Sequence, residues 1–250
     1  MKQIRYRKLD GIRGIALLNM IAFHAAWDLV YLYGVQWNWY QSTGGYIWQQ
    51  GICWTFIFLS GFCLPLGKHP VKRGLTVFLG GAVITVVTLV LMPQNRVVFG
   101  VLTLIGSCMV IVGVFDRLLQ KMIPVFGLFI SLGLFAVMRN VNEGWLGFEA
   151  FRLCEAPKAL YACEYPLAKL VAAYLGFPGK DFYSTDYFSM IPWLFLFLSG
   201  YFFFRLLDKS EMFGVLEKGV LLPVEWIGKH SFAIYMLHQP VIYLALEIIF

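Results

Sequence analysis

Charged residues are scarce in this sequence. Only 14% of its 250 residues are Asp, Glu, Lys or Arg, whereas 60% are hydrophobic and 18% are aromatic. A soluble globule needs a larger share of charged side chains to cover its surface. The shortage therefore excludes a soluble domain and indicates an integral membrane protein.

Cysteine and histidine are also few, with five and four residues. Cys53, Cys63 and Cys108 fall inside apolar runs, where cysteine usually serves as a small apolar side chain. Cys154 and Cys163 lie in a predicted extracytoplasmic loop, where a disulfide and two separate thiols are equally compatible with the sequence. Their spacing fits no metal-binding pattern, and we expect no metal site.

Long apolar runs are abundant. A run of about 20 residues crosses a bilayer core of roughly 30 Å as a helix. We predict an all-α polytopic bundle of about seven transmembrane helices, at residues 12–33, 46–66, 73–92, 97–118, 122–138, 187–207 and 228–249. The segment 145–178 is apolar but interrupted by charges and prolines, which predicts a re-entrant or interfacial segment; an eighth crossing stays open.

The distribution of Lys and Arg predicts the orientation, because cytoplasmic loops retain positive charge. With seven spans and a cytoplasmic N-terminus, fourteen of the twenty cations face the cytoplasm: Lys2, Arg5, Arg7, Lys8, Arg13, Lys68, Lys72, Arg73, Arg117, Lys121, Arg205, Lys209, Lys218 and Lys229. We therefore expect a multi-pass protein of the cell membrane with an extracytoplasmic C-terminus. A cleaved signal peptide is the alternative for the first span, but no small-x-small cleavage site follows it.

The first predicted helix carries polar side chains into the bilayer. Arg13 and His24 are separated by about 1100° of helical rotation and about 16 Å along the axis, so they share one face. Asp28 lies one turn beyond His24, within reach to orient the imidazole and to stabilise its charged form. Such residues are costly in hydrocarbon and usually functional. The structural alternative is a polar pair that only joins helices.

The last predicted span contains a second histidine at a similar depth. His238 lies nine residues after Lys229, or about 13 Å deeper. Pro240 leaves a backbone carbonyl without its helical partner, which is tolerated only beside protein or water. We interpret His24, Asp28 and His238 as candidate catalytic residues, although His238 could instead be bonded between helices.

Several segments resemble a known family. The stretch "RKLDGIRGIALLNMIAFHAAWDL" resembles the opening helix of the bacterial membrane family that shares its catalytic domain with heparan-alpha-glucosaminide N-acetyltransferase. The stretches "FYSTDYFSMIPWLFLFLSGYFFFR" and "IGKHSFAIYMLHQPVIY" resemble the end of that domain. The spacing of Arg13 and His24, with "FLSGF" and "YMLHQP", is also similar to the acyltransferase-three family of the same broad superfamily.

The resemblance implies one transmembrane acyltransferase domain over residues 1–250. It implies transfer of an acyl group, usually acetyl from acetyl-CoA, to a sugar hydroxyl or amine, with catalysis by His24. The sequence departs from the family at Thr103, where related proteins often have histidine. It also differs from the eukaryotic enzyme, whose matching first-helix position resembles an asparagine, with its histidine further on.

Binding residues follow from the same interpretation. Cations at the cytoplasmic mouth would hold the phosphates of CoA: Arg5, Arg7, Lys8, Arg13, Lys68, Arg73 and Lys229. On the outer side the family leads us to expect Tyr183, Asp186 and Trp193 to bind a glycan or amino-sugar acceptor. Asp186 has an alternative role at the start of a helix. The partners are thus acyl-CoA, the acceptor and the bilayer, and a homo-oligomer stays open.

Other functions remain compatible with buried His and Asp residues. A proton-coupled small-molecule transporter would use them, but the inverted repeats and paired broken helices of transporters are not visible. A structural scaffold would not need Arg, His and Asp on one helix face. No segment interleaves basic and aromatic residues as a nucleic-acid surface does, so we expect no nucleic-acid partner.

Overall fold

The computed structural model describes residues 6–208, 214, 216, 219 and 221–250. Nine α-helices lie within this described part of the chain: α1 (Arg7–Tyr31), α2 (Thr43–Phe62), α3 (Pro70–Leu91), α4 (Val101–Leu119), α5 (Pro124–Met138), α6 (Pro166–Leu175), α7 (Met190–Leu207), α8 (Leu222–Lys229) and α9 (Ser231–Ile249). The only strands in these residues are β1 (Trp145–Phe148) and β2 (Phe151–Glu155). The all-α prediction is confirmed.

Six of the described helices are long and apolar enough to cross a membrane: α1, α3, α4, α5 extended through Glu143, α7 and α9. The predicted span 46–66 corresponds to α2, which has 20 residues but includes Gln49, Gln50 and Thr55. It is not among the six. The polytopic bundle is confirmed, and a seventh crossing stays a prediction.

The described chain divides into two compact units. The first comprises the residues up to Leu59 and those from Leu207 onward, and the second comprises Ser60–Leu206. A single domain over residues 1–250 stays a prediction. Each unit is described separately below.

In the first unit, α1 packs against α8 and α9. Glycine allows α1 and α8 to approach at backbone distance, because a Cβ on Gly14 would overlap the carbonyl of Val224 and one on Gly228 would overlap that of Asp10. Close crossings at small residues are characteristic of membrane helices. The apolar core around Leu17, Met20 and Ile52 holds α1 against α2 within the same unit. These contacts fix the face of α1 that carries His24 and Asp28.

In the second unit, α3 packs along α4. Tyr201 of α7 donates a hydrogen bond to the Asp116 carboxylate of α4 at 2.6 Å. The Arg205 guanidinium donates to backbone carbonyls at the end of α4, among them Leu119 at 2.8 Å and Gln120 at 2.9 Å. A cation at a helix C-terminus satisfies carbonyls that have no helical partner.

The outward side chains of α3 are apolar. Val90 and Leu91 are each 72% exposed, and Leu79 and Val86 are similarly accessible. An apolar surface of this extent is unusual in a soluble monomer and matches contact with lipid. The surface therefore agrees with the membrane location predicted from composition.

The segment 145–178 contains no helix of transmembrane length, in agreement with its prediction as a non-spanning segment. The unexpected feature is the antiparallel hairpin of β1 and β2, in which Trp145 pairs with Glu155. The Asn142 side chain, which precedes the hairpin, donates a hydrogen bond at 2.9 Å to the carbonyl of Gly176, which follows α6. Cys154 and Cys163 are not joined by a disulfide.

Candidate active site

Two histidines face each other inside the first unit. His24 lies on α1 and His238 on α9, and their ring centroids are 5.0 Å apart with an interplanar angle of 57°. His238 is buried, whereas His24 is half-buried. Neither ring nitrogen of His24 makes a hydrogen bond within the described residues. His24 is therefore positioned by packing and keeps both nitrogens available for chemistry.

Asp28 does not orient His24 as the sequence led us to expect. Its carboxylate is fully buried and accepts two hydrogen bonds from the Gln239 side-chain amide, at 2.8 Å and 2.9 Å. The helical spacing places Asp28 and His24 on one face, but the short Asp28 side chain is held by α9 instead. The correction changes the role of Asp28 from an orienter of His24 to a buried link between α1 and α9.

His238 is oriented by its own helix. Its Nδ1 atom lies 2.5 Å from the Tyr235 carbonyl oxygen. Its Nε2 atom is buried and has no hydrogen-bond partner among the described residues, and the same is true of the Oε1 atom of Gln239. Buried polar atoms without partners are few in proteins and call for an explanation. The two atoms belong to consecutive residues whose side chains face α1.

Two of the predicted phosphate-binding arginines already have carboxylate partners. Arg7 pairs with Glu225 at 2.8 Å, and Arg13 pairs with Asp10 at 3.2 Å. Each pair neutralises the arginine charge that was expected to attract CoA. The sequence analysis did not anticipate these acidic partners. Lys8 has no ion-pair partner among the described residues.

The other predicted cations occupy separate places. Lys229 ends α8, is exposed and has no ion-pair partner in the described part of the chain. Lys68 and Arg73 are exposed in the second unit, where Arg73 lies close to Gly67. Arg5 lies outside the described residues. Among the described residues of the first unit, Lys8 and Lys229 are thus the predicted phosphate-binding cations without an ion-pair partner.

Trp193 cannot stack on a sugar as predicted. It is only 5% exposed, because the rings of Phe135 and Phe188 contact it. The Arg139 guanidinium carbon lies 5.0 Å from its ring centroid. Trp193 therefore belongs to the interior of the second unit, where the apolar start of α7 packs.

Tyr183 and Asp186 lie in the loop before α7. Tyr183 is exposed, and the guanidinium carbon of Arg96 lies 5.4 Å from its ring centroid. Burial raises the pKa of the Asp186 carboxyl to about 6, while a hydrogen bond from the Val101 backbone N–H opposes this shift. Asp186 thus contacts the start of α4, rather than the start of α7.

Comparison with protein families supplies the identification. The family model "Heparan-alpha-glucosaminide N-acetyltransferase, catalytic" matches residues 5–240. The chain belongs to this family. Comparison with curated proteins and with solved structures gives no match. The match extends through His24, Asp28, His238 and Gln239, so all four of these side chains lie within the catalytic region of this heparan-alpha-glucosaminide N-acetyltransferase family member.

Family membership makes the chain a membrane acetyltransferase. Among the described residues, no group of three or more His, Cys, Asp or Glu side chains could hold a metal ion. The candidate site is thus built from imidazole, carboxylate and amide groups.

Sequence reasoning missed Gln239. This residue follows His238 directly in "LHQP", and it is a polar amide within an otherwise apolar helix. A polar side chain in a membrane span indicates a functional residue, and this signal was available for Gln239 as it was for Asp28. What the sequence could not supply was the pairing between them, which joins residues 211 positions apart.

Proposed function

We propose that the protein transfers an acetyl group from acetyl-CoA on the cytoplasmic side to a sugar or amino-sugar acceptor on the extracytoplasmic side. Family membership supports acetyl transfer, and the pairing of His24 with His238 within the membrane helices is the observation that carries the proposal. The fourteen-to-six distribution of cations supports a cytoplasmic N-terminus.

The donor would bind at the cytoplasmic end of the first unit. Lys8 and Lys229 have no carboxylate partner in the described residues, so their ammonium groups are available to the phosphates of CoA as point charges. Arg7 and Arg13 could bind phosphate only by exchanging Glu225 and Asp10 for it. We therefore assign the larger share of phosphate binding to the two lysines.

His24 is the proposed reactive residue because it is half-buried and its nitrogens make no hydrogen bond with any described residue. In direct transfer, an imidazole accepts the proton of the acceptor hydroxyl or amine while that atom bonds to the acetyl carbonyl carbon. The C–S bond breaks, and the CoA thiolate takes the proton from the imidazolium. In a two-step transfer, a His24 nitrogen carries the acetyl group before the acceptor attacks it.

We place the binding site for the acceptor at the loop before α7. Tyr183 is exposed and would offer an aromatic face to a sugar ring, and the partly exposed Asp186 would offer a carboxylate oxygen. Both residues lie on the extracytoplasmic side in the predicted topology. Trp193 has no part in this proposal because it is enclosed by other rings.

The proposal is tested with purified protein reconstituted in liposomes. Acetyl-CoA labelled with carbon-14 in the acetyl group is placed on one side of the membrane and glucosamine on the other. We expect labelled acetylglucosamine only when acetyl-CoA faces the side that carries Lys72. Absence of labelled product from glucosamine and from methyl glucoside, in either orientation, would contradict the proposed activity; coupled movement of protons and unmodified sugar would identify a transporter.

A further inference from the structure

The tautomer of His238 follows from its surroundings. A backbone carbonyl oxygen can only accept a hydrogen bond, so the Nδ1 atom that faces the Tyr235 carbonyl carries the hydrogen. In neutral His238 the Nε2 atom then has a lone pair and no hydrogen. This atom is buried and accepts no hydrogen bond from any residue that the structure describes.

The orientation of the Gln239 amide follows in the same way. The Asp28 carboxylate accepts hydrogen bonds at both oxygens, so Gln239 presents its NH2 group to it. Its carbonyl oxygen Oε1 is consequently directed away from Asp28, where it is buried without a partner in the described part of the chain. Asp28 therefore determines which end of the amide is available.

Both unpartnered atoms are hydrogen-bond acceptors. His238 faces His24, and Gln239 faces Asp28, so the two acceptors belong to the part of α9 that packs against α1. Leaving a buried acceptor unsatisfied costs roughly 1 to 3 kcal/mol, which is avoided when a donor binds. The missing partner is a group that brings O–H or N–H hydrogens.

We propose that Nε2 of His238 and Oε1 of Gln239 bind the nucleophilic group of the acyl acceptor, which makes Gln239 a substrate-contacting residue. The inference rests on the proposed acetyl transfer. The acceptor is a compound that offers two hydrogen-bond donor hydrogens, either an amine or a hydroxyl with a neighbouring hydroxyl. Both occur on an amino sugar.

This arrangement divides the chemistry between the two histidines. A His24 nitrogen bonds to the acetyl carbonyl carbon as the C–S bond breaks, which is the two-step transfer and releases the CoA thiolate. The acceptor atom then bonds to the same carbon as the bond to His24 breaks, and its O–H or N–H hydrogen moves to Nε2 of His238. The proton passes from His238 to the CoA thiolate, so no further reactant is needed, while Oε1 of Gln239 holds the second hydrogen of the acceptor.

A pair of variants isolates the acceptor oxygen from the link to Asp28. Gln239→Lys keeps a donor to Asp28 but has no acceptor atom. The exchanged pair Asp28→Asn with Gln239→Glu restores a donor–carboxylate link, the wild-type charge and an acceptor oxygen at position 239. We expect Gln239→Lys to raise the KM for glucosamine about fivefold with the KM for acetyl-CoA unchanged, since one hydrogen bond is lost.

The exchanged pair should recover most of the affinity for glucosamine. Equal KM values for glucosamine in wild-type protein and Gln239→Lys would overturn the inference, as would a parallel rise in both KM values. If Gln239→Lys does not fold, its thermal unfolding curve will show this. The NMR measurement described next then tests the inference in its place.

A second measurement is independent of turnover. Protein labelled with nitrogen-15 in its four histidines is studied by NMR in detergent, with His238→Gln used to assign the signal. We expect an unprotonated Nε2 in His238 whose resonance moves on addition of glucosamine and stays in place with acetyl-CoA alone. A protonated Nε2, or one that ignores glucosamine, would overturn the inference. A glucosamine-sensitive Nε2 in protein that transfers no acetyl group would refute the proposed function while retaining this binding site.

Discussion

Replacing Gln239 by Leu tests whether Asp28 is a buried charge. The substitution removes both hydrogen bonds to a carboxylate that has no exposure and, among the described residues, no other side-chain partner. Hydrogen bonds to charged groups contribute about 1.5 to 3 kcal/mol, whereas neutral bonds between membrane helices average about 0.6 kcal/mol. We expect Gln239→Leu to lower the free energy of unfolding by about 2 to 3 kcal/mol.

The chain offers a neutral hydrogen bond as a control. Trp48 of α2 donates to the Asn19 side chain of α1 at 3.1 Å. Asn19→Leu should therefore cost about 0.6 kcal/mol. The double variant Asp28→Leu with Gln239→Leu should recover most of the loss, because replacing both partners of a buried polar pair by apolar groups is often neutral.

The assay is reversible unfolding in mixed detergent micelles, followed by tryptophan fluorescence. The wild-type protein, Gln239→Leu, Asp28→Leu and the double variant give a double-mutant cycle whose coupling energy should be about 2 kcal/mol. A Gln239→Leu loss no greater than that of Asn19→Leu would refute the charged state of Asp28. Additive single losses in the double variant would refute the pairing itself.

Three further predictions concern charge and topology. Lys8→Ala and Lys229→Ala should each reduce the thermal stabilisation by acetyl-CoA, most strongly at low salt, and Lys180→Ala should not; an effect independent of salt would contradict phosphate binding. Burial raises the pKa of Asp186 to about 6, so the folded protein binds a proton at this carboxyl more tightly than the unfolded chain does. The contribution of Asp186 to the free energy of unfolding therefore grows as pH falls from about 6 towards 4. Asp186→Asn should remove this dependence and stabilise the protein at pH 7 by up to about 2 kcal/mol, and unchanged unfolding profiles would refute it. In a cysteine-free background, a cysteine at Lys72 should react with a membrane-impermeant thiol reagent only from the cytoplasm and one at Lys180 only from outside; the reverse would invert the proposed topology.

The helices could be predicted because hydrocarbon imposes one requirement on every span. Each backbone polar group must be paired internally, so a sufficiently long apolar run forms a helix. The predicted span 73–92 corresponds to α3 at Pro70–Leu91, and 97–118 corresponds to α4 at Val101–Leu119. The hairpin of β1 and β2 escaped prediction because its exposed strand β2 mixes charged and apolar residues without alternation.

For the candidate site, the sequence predicted the depth of the residues along their helices better than it predicted which side chains they contact. His24 and His238 were placed at similar depth by counting residues, and their rings do meet. Partners depend on how helices far apart in sequence pack, which no local spacing specifies. Asp28 consequently belongs to Gln239, and Trp193 is enclosed by Phe135 and other rings.

Acetyl transfer by His24→Ala is the measurement that tests the central claim most directly. His230 provides a matched control, since it lies at the end of α8 with its Nδ1 atom 2.8 Å from the Trp226 carbonyl oxygen. We predict that His24→Ala lowers the transfer rate at least about 100-fold, because the imidazole that reacts with the acetyl group or with the acceptor's proton is lost, while the variant retains its fold and its stabilisation by acetyl-CoA. His230→Ala should transfer acetyl groups at nearly the wild-type rate. A folded His24→Ala protein as active as His230→Ala would contradict the account, because the facing histidines would then serve only to pack α1 against α9.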